Sequence, residues 1–154
     1  MKALEFERVS YRYPEDGFDI IDSLSFSVEP GSFHCIVGAS GCGKSTILRL
    51  ACGLLRPGSG RILVNGAPAG AQAGCCGYMP QRDLLFPWRT VAENLALPLE
   101  IRGGYTRAER RELAAEALTD VGLEGCGGKL PGELSGGQRQ RAAFARTMLA
   151  GSEL

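Results

Sequence analysis

Residues Gly38 to Ser45 read "GASGCGKS", a stretch that fits G-x-x-x-x-G-K-[ST]. Its chemistry follows from what each residue type supplies or leaves out. Gly38, Gly41 and Gly43 carry no Cβ, so successive main-chain N–H groups can turn inward around a phosphate, with Ala39, Ser40 and Cys42 completing the loop. A helix starting just beyond adds the positive end of its dipole. Lys44 can bridge the β- and γ-phosphates, the Ser45 hydroxyl can ligate Mg²⁺, and Thr46 offers a further hydroxyl. The plainer alternative is a glycine-rich turn ahead of a helix. Context favours the phosphate loop: "FHCIVG" (33–38) is the mostly apolar run of a strand buried on both faces, and about 45–52 reads as a helix.

A second chemical signal is "LSGGQ" at Leu134 to Gln138. Ser135 and Gln138 have the S-x-x-Q spacing of a capping box, so the segment could simply start a helix. Gly136 and Gly137 are poor choices for that task alone, because each weakens a helix by roughly 1 kcal/mol relative to alanine. Their presence implies a requirement for bare backbone. A serine hydroxyl with exposed N–H groups at a helix N-terminus forms a second anion-binding surface, suited to a phosphate approached from the other side.

The elements that must position these motifs are readable from periodicity. "LEFERVSYRY" and "LSFSV" are rich in β-formers around the turn "PEDG", predicting a small antiparallel region. "RILVNG" is another strand, and "APAGAQAG" a small-residue loop before the short run "CGYMPQ". From Thr90 the period becomes helical, with capping boxes at Thr90/Glu93 and Thr106/Glu109. In the second of these helices Leu113, Ala117, Leu118 and Val121 share a face, and Gly122 supplies a stop. Strands first and helices later, with a strand-loop-helix unit between them, predict an α/β core carrying a helical insertion.

The 154 residues suffice for one domain or most of a larger one, and no internal repeat is visible. Seventeen basic and seventeen acidic side chains cancel, which disfavours a general nucleic-acid grip. No apolar run is long enough for a membrane span, and the start lacks a signal-peptide core, predicting a cytosolic chain. The six cysteines lack C-x-x-C spacing and are read as thiols. The lone histidine, His34, sits in the apolar run before the phosphate loop and reads as a structural core residue.

Together the motifs give the chain a resemblance to the nucleotide-binding subunit of an ABC transporter. "GASGCGKST" resembles that family's Walker A loop and "LSGGQRQR" its signature motif, and the likeness covers essentially the whole chain. Gln81, in "YMPQRDLLFPW", falls where the family has its Q-loop glutamine, near Mg²⁺ and coupled to the membrane partner. Tyr13 falls where the family stacks an aromatic on adenine, although Tyr11 stands close by and either tyrosine could be a packing residue. The implied fold is a P-loop NTPase core with an N-terminal antiparallel β region and a helical subdomain. Its implied parts are about 1–80 for the β region and phosphate-loop core, 81–133 for the Q-loop and helical subdomain, and 134–154 for the signature helix.

The resemblance further implies a head-to-tail dimer, with ATP and Mg²⁺ between the Walker A loop of one subunit and the signature helix of the other. Ser135, Gly136, Gly137 and Gln138 would then meet a nucleotide held by a partner's Lys44, while Ser45 and Gln81 serve the metal. Membrane permease subunits are the implied docking partners, the solute-binding protein an indirect one, and nucleic acid is not expected. That places the chain as a peripheral protein on the inner face of the cell membrane. "LLFPWRTVAENLALPLEIRG" looks closest to importers for nitrate, sulfonate, taurine and related solutes, with Phe86, Pro87 and Trp88 suiting either a docking loop or local packing.

In the family an apolar strand ending in aspartate and glutamate, a D-loop and a switch histidine follow the signature helix. The sequence reads as an N-terminal portion ending before that strand, with Glu153 and Leu154 as its possible first residues. The expectation is a chain that binds Mg-ATP and hydrolyses it negligibly, no catalytic set being complete in it, with sheet edges left to pair. Two other readings stay open: a soluble ABC-type protein acting on nucleic acid, and a non-catalytic nucleotide-binding fragment.

Overall fold

The computed structural model describes residues 2–15, 17–71 and 76–151. The chain divides into two compact units, one running to Cys76 and the other starting at Gly77. Glu153 and Leu154, read above as the start of a further strand, lie outside the described residues, as does Cys75.

The first unit is an antiparallel sheet with one helix. Strands β1 (Leu4–Tyr11), β2 (Ile21–Val28), β3 (Ser59–Val64) and β4 (Ala67–Pro68) pair in the order β2-β1-β3-β4. Helix α1 (Lys44–Ala51) contributes Leu50 and Ala51 to a core with Leu4, Phe6, Val9, Tyr11, Ile62 and Val64. On β1 the inward residues change parity, from Leu4 and Phe6 to Val9 and Tyr11. Arg8 makes the change: it sits at φ 46° where the pairing with β2 shifts between Phe6 and Val9. One extra residue at such a bulge turns the rest of the strand over. Serines complete the irregular backbone, with Arg8 N–H donating to Ser25 Oγ (2.8 Å) and Ser23 N–H to Ser10 Oγ (2.9 Å). Ser25 of "LSFSV" thus satisfies the bulge amide of Arg8, and Ser10 of β1 satisfies that of Ser23. Asn65 and Gly66, at φ 49° and 81°, form the two-residue Asn-Gly turn that joins β3 to β4.

Residues 33–38 depart from expectation. They lie outside any strand or helix, with Phe33 94% and Val37 87% exposed. His34 is exposed too, which corrects its reading as a core residue. A run that apolar is stable as a doubly buried strand only with neighbours on both edges, and among the described residues the sheet stops at four strands. "CGYMPQ" is likewise a loop among the described residues.

The second unit packs three helices, α2 (Val91–Arg102), α3 (Arg107–Asp120) and α4 (Gly136–Leu149), with a single 3₁₀ turn at Pro131–Glu133. All three α-helices start with reciprocal capping boxes, at Thr90/Glu93, Thr106/Glu109 and Ser135/Gln138. Their shared core is Val91, Leu95, Ala114, Leu118, Leu123, Leu134, Ala142, Ala143 and Ala145. Alanines on α4 let that helix approach the others closely. On α3 the most buried residue is Ala114, one turn before Leu118, while Leu113 is only half-buried. The glycine-rich linker 124–133 is tied to the start of α2: the carbonyls of Lys129 and Gly127 accept its first amides, from Val91 (2.8 Å) and Ala92 (3.0 Å). Among the described residues no helix is long and apolar enough to cross a membrane.

Candidate nucleotide-binding site

In the first unit the phosphate loop runs from Gly38 into α1. Gly43 caps that helix at φ 92°, ψ 5°. That backbone conformation favours glycine, and a Cβ there would stand 2.8 Å from Ile21 Cδ1 and 3.0 Å from Ile20 Cγ2, so that both side chains would have to shift. Gly41 is also left-handed, at φ 82°. Lys44 Nζ folds back over the loop and donates to the carbonyls of Gly38 (2.8 Å) and Ala39 (2.6 Å), with Cys42 Sγ 3.7 Å away. Ala39, Ser40, Cys42 and Ser45 are exposed, and α1 has no acidic residue in its first turn. An ammonium group and an open helix N-terminus thus share one exposed loop, and the first turn of that helix carries no carboxylate. That donor set fits a polyphosphate, and the exposed Ser45 hydroxyl fits its Mg²⁺.

The two tyrosines separate. Tyr11 is buried in the core, whereas Tyr13 is half-buried at its margin, edge-on to Tyr11 at 4.9 Å. Tyr13 Oη lies 3.1 Å from Thr46 Oγ1, which ties the tyrosine to the first turn of α1. Thr46 is itself buried, so its hydroxyl serves the interior.

The second unit carries Gln81 and the signature turn. Gln81 is exposed in the loop before α2. Ser135 caps α4, its Oγ accepting Gln138 N–H at 3.3 Å while Gln138 Oε1 accepts Ser135 N–H at 2.8 Å. Gly136 and Gly137 are exposed in ordinary helical conformation, and a Cβ on Gly137 would meet no atom within 4 Å. On Gly136 it would meet only Arg139 Nη2, at 3.9 Å. Neither strain nor crowding within this chain calls for the double glycine. What it does provide is an open, uncovered helix N-terminus.

Residues that the motifs did not single out hold this unit's loop. Asn94 on α2 is fully buried: its Oδ1 accepts Phe86 N–H (2.7 Å), and its Nδ2 donates to the carbonyls of Phe86 (3.1 Å), Arg89 (3.1 Å) and Thr90 (3.0 Å). Phe86 and Trp88 rings meet at 5.2 Å, and Trp88 stays 72% exposed. The "FPW" loop is thus locally packed and still presents its tryptophan outward. From α4, Arg139 and Arg146 bind the segment at Asp83 and Leu84. Burial lowers the Arg146 pKa from its ordinary value, and the charge of Asp83 opposes that shift. An asparagine inside the apolar run "VAENLALPL" and two arginines seven residues apart beside the alanines of α4 were the available signals.

The P-loop NTPase fold is the class that this architecture and loop define. Residues 21–154 match the ABC transporter family, and the chain belongs to it. It is 41% identical over 148 residues to the taurine import ATP-binding protein TauB of Chromobacterium violaceum, covering 96% of this chain and 56% of that protein. It is 42% identical to the formylaminopyrimidine import ATP-binding protein ThiZ of Halalkalibacterium halodurans (99% and 58% covered) and 44% identical to the Fe(3+) ions import ATP-binding protein FbpC of Brucella suis biovar 1 (96% and 42%). The chain thus spans little more than half, or less, of the curated relatives it matches. Among solved structures it resembles the ATP-binding cassette MJ0796 in a dimer bound to ADP and Pi, at TM-score 0.85 and 29% identity, covering 97% of this chain and 70% of that one. It also resembles cbiO1 from Clostridium perfringens, part of the ABC transporter complex cbiONQ, at TM-score 0.82 and 26% identity over 98% and 62%.

Proposed function

We propose that this chain is the ATP-binding part of an ABC-type importer, holding Mg-ATP on the 38–46 loop and coupling its hydrolysis in the whole protein to solute uptake. The observation that carries the reading is the left-handed Gly43 at the start of α1, with Lys44 folded over the carbonyls of Gly38 and Ala39. Gly38 to Gly43 supply main-chain donors, Lys44 the charge opposite the terminal phosphates, and Ser45 a metal-ligating hydroxyl, with Gln81 the second oxygen donor to Mg²⁺. Tyr13 lines the adenine side. Ser135, Gly136, Gly137 and Gln138 receive the γ-phosphate held by a second copy, head to tail; the uncovered glycines at the start of α4 support that role. Nucleotide bound there neutralises charge and draws the two copies together.

The loop from Gln81 to Trp88 faces the permease subunits, an anchor role suited to exposed tryptophan, and the solute-binding protein acts through them. The chain is then peripheral on the inner face of the membrane. Relatives named for taurine, formylaminopyrimidine and Fe(3+) ions match at nearly equal identity, so the cargo is set by the other subunits.

Calorimetric titration with Mg-ATP tests the reading. Lys44→Ala should weaken binding by about ten-fold or more, as expected for loss of a charge-assisted contact, while leaving the circular dichroism spectrum intact. Equal affinity in Lys44→Ala and the unsubstituted chain would overturn the assignment of this loop.

A further inference from the structure

Arg139 and Arg146 stand seven residues apart on one face of α4, and together they grip a single short segment. The Arg139 guanidinium is forked, Nε donating to Asp83 Oδ2 at 3.1 Å and Nη1 to the Leu134 carbonyl at 2.7 Å. Leu134 directly precedes the helix cap Ser135. Arg146 Nη2 and Nη1 donate to the carbonyls of Asp83 (3.0 Å) and Leu84 (2.9 Å). The other carboxylate oxygen of Asp83 accepts Leu85 N–H at 3.3 Å.

Leu84, between them, has φ 47°, which an ordinary side chain adopts only when its surroundings enforce it. Its side chain is 59% exposed, so packing does not enforce it. The bonds to its own carbonyl and to Asp83 do, and all of them come from α4 or from Asp83.

We propose that Arg139 and Arg146 are positioning residues that make the Leu134–Ser135 turn and the 83–85 segment move as one piece. A contact made at Ser135 to Gly137 is thereby felt on both sides of that segment, at Gln81 two residues upstream and at Phe86 to Trp88 downstream. A guanidinium is needed because its planar fork spans two acceptors, the Asp83 carboxylate and the Leu134 carbonyl, which a lysine ammonium cannot hold in the same geometry. The use of this link in nucleotide coupling rests on the function proposed above; the link itself does not.

The test is a double-mutant cycle on the chain, read by hydrogen exchange of the Leu85 amide in NMR spectra, with no nucleotide present. Ser135→Ala removes the acceptor that holds Gln138 N–H and loosens the turn. It should speed Leu85 exchange by about three-fold or more when Arg139 is present, and add nothing further once Arg139→Lys has broken the fork. Arg139→Gln, whose amide is too short to span both acceptors, supplies a second break of the fork should Arg139→Lys not fold, with the same expected outcome. Arg141→Lys, whose parent arginine binds the Val121 and Gly122 carbonyls instead, should leave the coupling intact. A merely structural role for Arg139 would lower protection but leave the two substitutions additive. Additivity at Leu85, or no response of Leu85 to Ser135→Ala, overturns the proposal. Calorimetry with Mg-ATP on the same unsubstituted sample judges the nucleotide reading separately: absent binding sinks that reading and leaves the exchange cycle to decide the link.

Discussion

Asn94 shows how one side chain can fix a loop. Its amide has one carbonyl and two N–H groups, and here it serves one main-chain donor and three main-chain acceptors without access to water. Asn94→Ala strands those groups, so the chain should lose about 2–4 kcal/mol of stability in urea denaturation. Asn94→Asp keeps the acceptor for Phe86 N–H but loses both donors, and should be nearly as damaging; a loss below about 1 kcal/mol in either variant would mean that water replaces the amide. Gly43 makes the complementary case, where absence of a side chain is the requirement. Gly43→Ala must bear φ 92° and a 2.8 Å approach to Ile21 Cδ1, so a cost of about 1–3 kcal/mol and weaker Mg-ATP binding are expected. Gly43 was legible because the motif states its position. Asn94 was not, because an asparagine in an apolar run becomes meaningful only when the loop it serves folds over it.

The helix starts in the second unit can be followed by pH. Glu93 and Glu109 titrate below the ordinary glutamate value of 4.5, first because the main-chain N–H groups of Thr90 and Thr106 hydrogen-bond the charged carboxylates, then because the threonine side chains reinforce this. A carboxylate held lower in the folded chain than in the unfolded one stabilises fully above the unfolded value. That contribution is lost as pH falls through the folded values. Helical circular dichroism should therefore become more sensitive to heat below about pH 4.5, and Glu93→Gln with Glu109→Gln should flatten the dependence, because glutamine caps without titrating. These helix starts were readable from four-residue patterns, since a capping box is local. The strand expected at 33–38 was not decided locally: its apolar composition specifies burial, but the described residues pair no strand with it and the segment stays exposed outside the sheet. On β1 the parity change at Arg8 escaped period-two reading because a bulge is made by two strands together.

At the level of the molecule, the proposed site is shared between copies: the first unit carries the phosphate loop and the second the signature turn. Lys44→Ala impairs only the loop, and Gly137→Asp, which sets a carboxylate against an approaching phosphate, impairs only the turn. Neither variant alone should associate in Mg-ATP, while an equimolar mixture should form a mixed dimer with one intact composite site, detectable by sedimentation velocity. Equal association of each variant alone would exclude the head-to-tail arrangement. The sequence by itself determined the phosphate loop, the capped helices and the family, because glycine spacing, hydroxyl caps and helical periodicity act over a few residues. Tertiary structure alone decided which tyrosine is buried, that Asn94 bonds the loop carrying the tryptophan, and that two arginines of α4 bond Asp83 and Leu84. Each of those depends on a hydrogen-bond partner or packing neighbour distant in the chain, and no local pattern carries that information.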